Sequence, residues 1–405
     1  MGHIVHTTLM DERNKGTTRM RIAIITENFL PKLDGVTRTL AKLLEHLQIT
    51  GHSVMLLGPD SGMEEYAGAE IVGTAGLPFP FYPELKFNFF RPLFMRRLGE
   101  FRPDIIHLVD PVILGATGLA AARFFNVPLV SSYHTNLAAY CEHFGFSLLT
   151  RPMWSYNRFV HNQCSMTFCP SPSTAAMLRL EGFEHLRIWP RGVDTSIFNP
   201  ERRSLALRTS WLGEETSAKT ILLYVGRVSW EKNLRLLVQA YRSMNHSNCH
   251  LVIVGEGPAS LEMQQELAGL PVTFTGYLSG EALATAYASS DIFAFPSRTE
   301  TFGQVVLEAM ASGLPVVGLV AEGVCDLVEH ERTGLLVQDH HIQEDEQIIG
   351  YRARLESLVQ NVQKRQEMSH AALLEAQRRS WYEAMECLVR GYKEVVGTSR
   401  PLVAA

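Results

Sequence analysis

The sequence predicts an α/β protein with two doubly wound units, each with a parallel sheet covered by helices on both faces. Two observations lead to this prediction. Short, continuously apolar runs alternate with helical patterns, and the alternation restarts after a turn-rich segment that begins at Gly192 and reads GVDTSIFNP. The predicted strands begin near residues 20, 53, 104, 127 and 167 in the first half, and near residues 220, 250, 272, 291, 314 and 334 in the second.

This pattern divides the chain into four segments. Residues 1–19 are polar, lack the apolar stretch of a secretory signal and are predicted to be a disordered extension. Residues 20–195 and 196–374 are predicted to form two Rossmann-like domains, and a helix over residues 375–398 is expected to cross back to the first domain. Because ligands of open α/β sheets bind at the carboxyl ends of the strands, we expect a binding cleft between the two domains.

Composition excludes several classes of protein. The 405 residues carry a net charge of −5, so nothing in the overall charge favours nucleic-acid binding. The six cysteines are scattered without a C-x-x-C pair, which is typical of reduced thiols in a cytoplasmic protein. No run reaches the roughly 18 apolar residues of a membrane span.

Two cations follow the first strand of the second predicted domain. Arg227 and Lys232 lie in the segment GRVSWEKN (226–233), directly after the apolar run TILLYV. Cations at the carboxyl end of a strand and beside a helix N-terminus suit a diphosphate. The same spacing is equally typical of two solvated surface cations. Asn233 is predicted to cap the next helix.

A carboxylate lies inside an apolar segment. Glu308 interrupts the run VVLEAMA, where a buried charge without partners would be costly. The vicinal diol of a ribose offers two donors to one carboxylate, and a buried ion pair with Arg or Lys explains the residue as well. Glu300 precedes it by about two helical turns, so we expect Glu300 at the mouth of the cleft and Glu308 deeper inside. Gly303 would let the backbone approach a ligand closely.

These motifs, in this order, resemble those of GT-B fold glycosyltransferases, in the large retaining family (family 4 type) marked by two glutamates with seven residues between them. The signature here is Glu300-TFGQVVL-Glu308, and the resemblance extends along nearly the whole chain and to sulfoquinovosyltransferases and lipid mannosyl- and glucosyltransferases. Further matching segments are ENFLPKLDGVTR (27–38), DIIHLVDP (104–111), SSYHTN (131–136), GVDTSIFNP (192–200), VGEGP (254–258) and residues 275–317.

The resemblance implies roles for individual residues in nucleotide binding. Arg227 and Lys232 match the pair that holds the diphosphate, and Glu308 matches the ribose-binding glutamate. Gly35 matches the glycine of a first-domain loop that approaches the diphosphate.

The resemblance also implies contacts with the donor sugar. Glu300 matches the glutamate that touches the sugar hydroxyls, with Phe302 and Gly303 beside it, and His134 matches a histidine that reaches the sugar. By the same resemblance His134, Arg227, Lys232 and Glu300 would be the catalytic residues. The turn 321–324 reads AEGV where the family more often has a Gly-Gly turn.

Two polar residues near a strand end are left with two interpretations. His107 and Asp110 lie at the end of the strand in DIIHLVDP. They either contact a ligand in the cleft or take no part in binding it.

The function implied is transfer of a hexose, with retention of configuration, from a UDP- or GDP-linked sugar to a lipid or amphipathic acceptor. No Asp-x-Asp occurs and no cofactor or metal is expected; Arg, Lys and helix dipoles would stabilise the leaving diphosphate. One alternative is a soluble small-molecule or glycan acceptor. Another is an inactive scaffold that binds nucleotide or a partner, which the presence of all four charged residues disfavours.

The segment 79–103 mixes aromatic residues with Arg91, Arg96, Arg97 and Arg102. It resembles an interfacial segment, so we expect peripheral contact with the cytosolic face of a membrane. A long loop packed on the first domain, with solvated arginines, explains it equally well.

Overall fold

The structure, a computed structural model, describes residues 19–31, 35–79, 82–88, 91–136, 138, 147–213, 219–339 and 343–399. It divides the chain into two compact units. Unit 1 comprises Met1–Pro170, Ala175–Pro190 and Met385–Ala405, and unit 2 comprises Ser171–Thr174 and Arg191–Ala384. All but one residue of the predicted N-terminal extension lie outside the described residues.

Unit 1 is built on a mostly parallel sheet. The described strands are β1 (Arg21–Thr26), β2 (Ser53–Pro59), β3 (Glu65–Tyr66), β4 (Ala69–Thr74), β5 (Gly76–Phe79), β6 (Tyr82–Asn88), β7 (Ile105–Val109), β8 (Leu129–Ser132), β9 (Met166–Cys169) and β10 (Leu186–Ile188). Eight of them form one sheet in the order β10-β9-β8-β7-β1-β2-β4-β3, and β5 pairs with β6 separately. Within the eight, neighbours run parallel except for the antiparallel pair β3 and β4.

Helices join these strands. They are α1 (Gly35–Ile49), α2 (Pro92–Phe101), α3 (Ile113–Phe125), α4 (Ser147–Asn162) and α5 (Pro172–Leu180). The central strand β1 is largely apolar because both faces of the sheet are covered there, and its Ile22 and Ile24 have no exposed surface.

Unit 2 contains a fully parallel sheet. Its strands are β11 (Thr220–Val225), β12 (Cys249–Val254), β13 (Val272–Gly276), β14 (Ile292–Phe295), β15 (Val316–Leu319) and β16 (Gly334–Val337). Their order is β13-β12-β11-β14-β15-β16. In sequence order, β12 and β13 therefore follow β11 on one side of the sheet, and β14, β15 and β16 follow on the other side. The reversal between β11 and β14 is the topological switch point, whose carboxyl edge is the usual ligand site of such sheets.

The helices of unit 2 are α6 (Leu205–Leu212), α7 (Leu234–Arg242), α8 (Ser260–Glu266), α9 (Gly280–Ala288), α10 (Gln304–Ala311), α11 (Glu344–Gln360) and α12 (Val362–Gln377). The prediction of two doubly wound units with parallel sheets is confirmed.

The C-terminal segment differs from its prediction. A single helix from Glu375 is wrong, because α12 ends at Gln377 and a new helix, α13 (Trp381–Ser399), follows a short break. Ser380 starts the new helix, and its Oγ accepts a hydrogen bond from Glu383 N at 3.1 Å. From Met385 onward α13 belongs to unit 1, where Tyr392 is fully buried.

Part of segment 79–103, which was predicted to contact a membrane, also differs from its prediction. Residues 92–101 form α2, and its apolar residues Phe94 and Leu98 are buried in the core of unit 1 rather than presented to a membrane. Arg97 is paired with Glu70 and Glu100. The side chains of 77–90 lie outside the described residues. Among the helices of the described chain, none combines the length and the apolar character that crossing a bilayer requires.

Candidate active site

Two loops at the switch point of unit 2 carry most of the predicted site. The loop after β11 holds Arg227 and a short 3-10 turn at Trp230–Lys232, and the loop after β14 holds Glu300. Asn233 is the N-cap residue of α7, as predicted, but its side chain makes no capping hydrogen bond to that helix. Its Nδ2 instead donates to Pro296 O at 3.1 Å and so joins the two loops.

Lys232 and Glu300 meet where these loops come together. Lys232 Nζ lies 2.7 Å from Glu300 Oε1, and each side chain is 19% exposed. Ser297 Oγ donates to the same oxygen at 3.0 Å. Glu300 is thus held in place by a cation and a hydroxyl, next to the carboxyl edge of the sheet.

Arg227 lies in the same loop with its side chain about half exposed. Its Nη1 is 3.8 Å from Glu231 Oε1, a loose contact that leaves most of its N–H donors for other partners. Its backbone oxygen accepts from the hydroxyl of buried Tyr224 at 3.0 Å. Burial raises the pKa of Tyr224, and the carboxylates of Glu300 and Glu231 raise it further.

The loop after β12 supports the loop after β11 through backbone contact. A Cβ on Gly255 would lie 2.0 Å from Gly226 O, and one on Gly257 would lie 2.3 Å from Val228 O. Val228 N also donates to Glu256 O at 3.0 Å. The glycines of the VGEGP motif therefore have a structural role, allowing two loops to pack without side chains between them.

Glu308 is buried on α10. It is 4% exposed, and the hydroxyl of Tyr287 on α9 donates towards its Oε2 at 3.4 Å. The expectation of two helical turns between Glu300 and Glu308 is wrong, because α10 begins only at Gln304. Gly303 precedes the helix with φ of 87°, a conformation that glycine adopts without strain.

Phe302 and the turn 321–324 pack next to Glu300. Phe302 is 7% exposed, and a Cβ on Gly323 would lie 2.6 Å from Glu300 O. Thr174 Oγ1 lies 2.5 Å from Glu322 Oε1 and 3.0 Å from Thr301 O. Burial raises the pKa of Glu322. Sequence reasoning missed Thr174, whose contact with Glu322 spans almost 150 residues of chain.

In unit 1, His134 follows β8 in a well-connected loop. Its backbone N–H donates to Asp110 Oδ1 at 2.7 Å, and Thr135 Oγ1 donates to Asp110 Oδ2 at 2.7 Å. The ring Nε2 lies 2.8 Å from Ser132 Oγ, and the ring meets Trp189 edge-on with centroids 5.5 Å apart. Through these contacts the carboxylate of Asp110 holds the loop that carries His134 and Thr135.

Gly35, the other predicted residue of unit 1, is exposed at the start of α1. Its carbonyl accepts from Thr39 Oγ1 at 2.8 Å.

A carboxylate that sequence reasoning missed lies in the same unit. Glu27 Oε1 accepts hydrogen bonds from the backbone N–H groups of Val112, Leu114 and Gly115 at the start of α3, at 3.1, 2.6 and 3.3 Å. Burial raises its pKa to about 6, against the lowering effect of these bonds.

In the residues that the structure describes, no group of three or more His, Cys, Asp and Glu side chains is placed to hold a metal ion.

The fold and the paired cation and carboxylate at a switch point define a class of protein: glycosyltransferases of the GT-B fold. Family models agree with this. The model for glycosyl transferases group 1 matches residues 212–373, and the model for glycosyltransferase family 4 matches residues 33–197. The sucrose-phosphate synthase of Thermosynechococcus elongatus has the same fold, with a TM-score of 0.74, 20% identity and coverage of 94% of this chain and 100% of its own.

Sequence relatives make the assignment specific. The GDP-mannose-dependent alpha-mannosyltransferase of Corynebacterium glutamicum is 34% identical, over 94% of this chain and 90% of its own. The alpha-monoglucosyldiacylglycerol synthase of Streptococcus pneumoniae is 28% identical, over 80% of this chain and 76% of its own. The chain belongs to the family 4 group of glycosyltransferases, as its motifs predicted, and it is a glycosyltransferase.

Proposed function

We propose that this enzyme moves a hexose from a UDP- or GDP-linked donor to a lipid or amphipathic acceptor, with retention of configuration and without a metal ion. The observation that carries the proposal is the 2.7 Å contact between Lys232 Nζ and Glu300 Oε1 at the switch point of unit 2. It brings a cation suited to a diphosphate and a carboxylate suited to sugar hydroxyls to one place.

The leaving diphosphate gains negative charge as its bond to the sugar breaks. Arg227 and Lys232 supply positive charge at that point, which stabilises the transition state more than the ground state. The first turn of α10 adds backbone N–H donors from the same edge of the sheet. These groups perform the electrostatic work that a divalent cation performs in other glycosyl transfers.

The nucleoside is anchored separately. Glu308 is buried and lies close to the hydroxyl of Tyr287. It is proposed to accept hydrogen bonds from a ribose diol, whose two O–H donors suit one carboxylate. Gly35 is proposed to let the backbone of unit 1 approach the diphosphate.

Retention follows in the proposed mechanism from attack on the face that the diphosphate leaves. The bond from the anomeric carbon to the phosphate oxygen breaks, the acceptor oxygen bonds to the same face of that carbon, and the acceptor proton passes to the departing phosphate oxygen. Glu300 and His134 are proposed to hold the sugar hydroxyls during this step.

The proposed acceptor class rests on the relatives, one of which is named for diacylglycerol. Contact with a membrane would be electrostatic, since the apolar face of α2 is buried. Arg91, Arg96 and Arg102 are exposed on unit 1, each worth about 1 kcal/mol near an anionic surface. We propose that the enzyme works at the cytosolic face of a membrane.

Purified protein tests the reaction. It is incubated with UDP- or GDP-linked hexoses and either a lipid extract or water-soluble sugars, with and without EDTA, and products are identified by mass spectrometry and NMR. We expect a glycolipid with the donor's anomeric configuration and a rate that EDTA leaves nearly unchanged. An inverted product, a strict need for a divalent cation, or products from soluble sugars only would each contradict the corresponding part of the proposal.

Vesicle binding tests the membrane contact. At low salt the wild type should sediment with anionic vesicles. The triple variant with Arg91, Arg96 and Arg102 changed to Ser should no longer bind them. The control changes Arg235, Arg332 and Arg378, three exposed arginines of unit 2, to Ser. Equal binding of the triple variant and the wild type would refute the contact.

A further inference from the structure

Four side chains of unit 1 form a continuous chain of hydrogen bonds that ends at His134. Tyr392 Oη on α13 lies 2.6 Å from His107 Nδ1 on β7. His107 Nε2 lies 2.8 Å from Ser132 Oγ at the end of β8, and that oxygen lies 2.8 Å from His134 Nε2. Tyr392, His107 and Ser132 are fully buried, so water does not compete for these contacts.

Tyr392 sets which atom donates in each of these hydrogen bonds. Within the described part of the protein, His107 Nδ1 is the one hydrogen-bond partner of the Tyr392 hydroxyl. Burial raises the pKa of Tyr392 well above its ordinary value, so the hydroxyl keeps its proton. A buried O–H without an acceptor is costly, so Tyr392 donates to Nδ1. A neutral His107 that accepts at Nδ1 carries its own proton on Nε2.

The same reasoning passes along the chain. His107 Nε2–H donates to Ser132 Oγ. The Ser132 proton then needs an acceptor, and in the described residues the remaining neighbour of Oγ is His134 Nε2. His134 therefore accepts at Nε2 and, in its neutral form, carries its proton on Nδ1.

We propose that Tyr392, His107 and Ser132 are positioning residues that hold His134 as the neutral Nδ1–H tautomer, so that Nδ1 donates to a hydroxyl oxygen of the donor sugar. The predicted effect on activity rests on the proposed contact between His134 and that sugar. The opposite tautomer would present a lone pair at Nδ1 and would be unable to donate there. Trp189 packs against the ring of His134 and Asp110 accepts from its backbone, so the ring is held in place while the hydrogen-bond chain sets the position of its proton.

Nitrogen-15 NMR of histidine-labelled protein reads the tautomer directly. In the wild type at pH 8 we expect a protonated Nδ1 and an unprotonated Nε2 for His134. Tyr392→Phe removes one oxygen at the far end of the chain, and both tautomers of His134 should then be seen. Tyr241→Phe is the matched control, because its buried hydroxyl also makes a 2.6 Å hydrogen bond, to Pro271 O, outside the chain. It should leave His134 unchanged.

Activity gives a second readout. Tyr392→Phe should lower kcat about two- to ten-fold, the effect expected for one ordinary hydrogen bond, with the KM for the acceptor unchanged. Should Tyr392→Phe fold poorly, Ser132→Ala breaks the chain at its last link and should shift His134 towards the Nε2–H tautomer. Wild-type His134 protonated on Nε2, or a Tyr392→Phe spectrum identical to the wild type, would overturn the proposal.

Failure of the proposed function looks different. A fully active His134→Ala variant would refute the proposed contact between His134 and the sugar, while the tautomer result would still stand. A wrong tautomer would refute the chain even when His134→Ala is inactive.

Discussion

Changing Lys232 to Met tests the diphosphate site directly, because it removes one charge and keeps an apolar stem of similar length. In the structure the ammonium group lies 2.7 Å from Glu300 Oε1, and only 19% of the side chain is exposed. A diphosphate bound at this edge of the sheet would share Lys232 with Glu300. Removing the charge of Lys232 should therefore destabilise the transition state most, because the leaving group carries the most charge there.

The expected size follows from this setting. Two unit charges 4 Å apart interact by about 4 kcal/mol at an effective dielectric constant of about 20. Loss of one electrostatic donor in an active site costs about 10²–10³ in kcat, or roughly 2.7–4 kcal/mol. We expect Lys232→Met to lie in this range, with Arg227→Met similar. Because Lys232 also pairs with Glu300, the effects of Lys232→Met and Glu300→Gln should not be additive.

The assay follows release of the nucleoside diphosphate at saturating donor and acceptor. Lys42→Met is the control, since Lys42 Nζ also pairs with a carboxylate, Glu45, at 2.9 Å, but on the surface of unit 1. It should retain wild-type activity. Folded Lys232→Met protein with kcat within a few-fold of wild type would refute the reasoning, and so would an equal loss in the Lys42 variant.

Two further predictions concern the buried carboxylates. Glu308→Gln should weaken binding of the free nucleoside diphosphate by roughly 1.5–3 kcal/mol, the range for hydrogen bonds to a charged group, as measured by calorimetry; unchanged affinity would assign Glu308 a structural role. The pKa of Glu27 is raised from 4.5 to about 6, so the folded protein binds this proton more tightly than the unfolded chain, and stability falls as the pH rises through that window. Glu27→Gln cannot titrate, so between pH 4 and pH 7 its free energy of unfolding should gain about 2 kcal/mol relative to wild type in urea titrations, whereas a constant difference would show that Glu27 is not responsible.

The long apolar strands could be predicted from the sequence, because burial on both faces requires apolar residues at every position. The strands β3 to β6 were missed. β3 has only two residues, Glu65 and Tyr66, and β4 reads AEIVGT, so neither shows the continuous apolar run that marked the others. The break before α13 did have a signal, since Ser380 and Glu383 have the spacing of a capping box.

At the site, sequence reasoning selected residue types but not their contacts. Lys232 and Glu300 are 68 residues apart, and only the switch between β11 and β14 brings them together. The segment SRTETF before α10 has no helical periodicity, and Gly303 adopts the left-handed conformation that directly precedes the helix. Ser132 beside His134 was visible in principle, since alternate residues of an extended chain share a face.

The position of α13 in the chain has a consequence for biosynthesis. Its residues from Met385 complete unit 1, where Gly391 packs against Phe168 and Cys387 Sγ contacts Ile188 O at 3.5 Å. Translation reaches α13 about 190 residues after β10. At 5–20 residues per second, roughly 10–40 seconds separate the two events. During that interval the ribosome delivers all of unit 2, while the side chains of β7 and β9 that contact α13 in the finished protein, among them His107 and Phe168, still lack that cover.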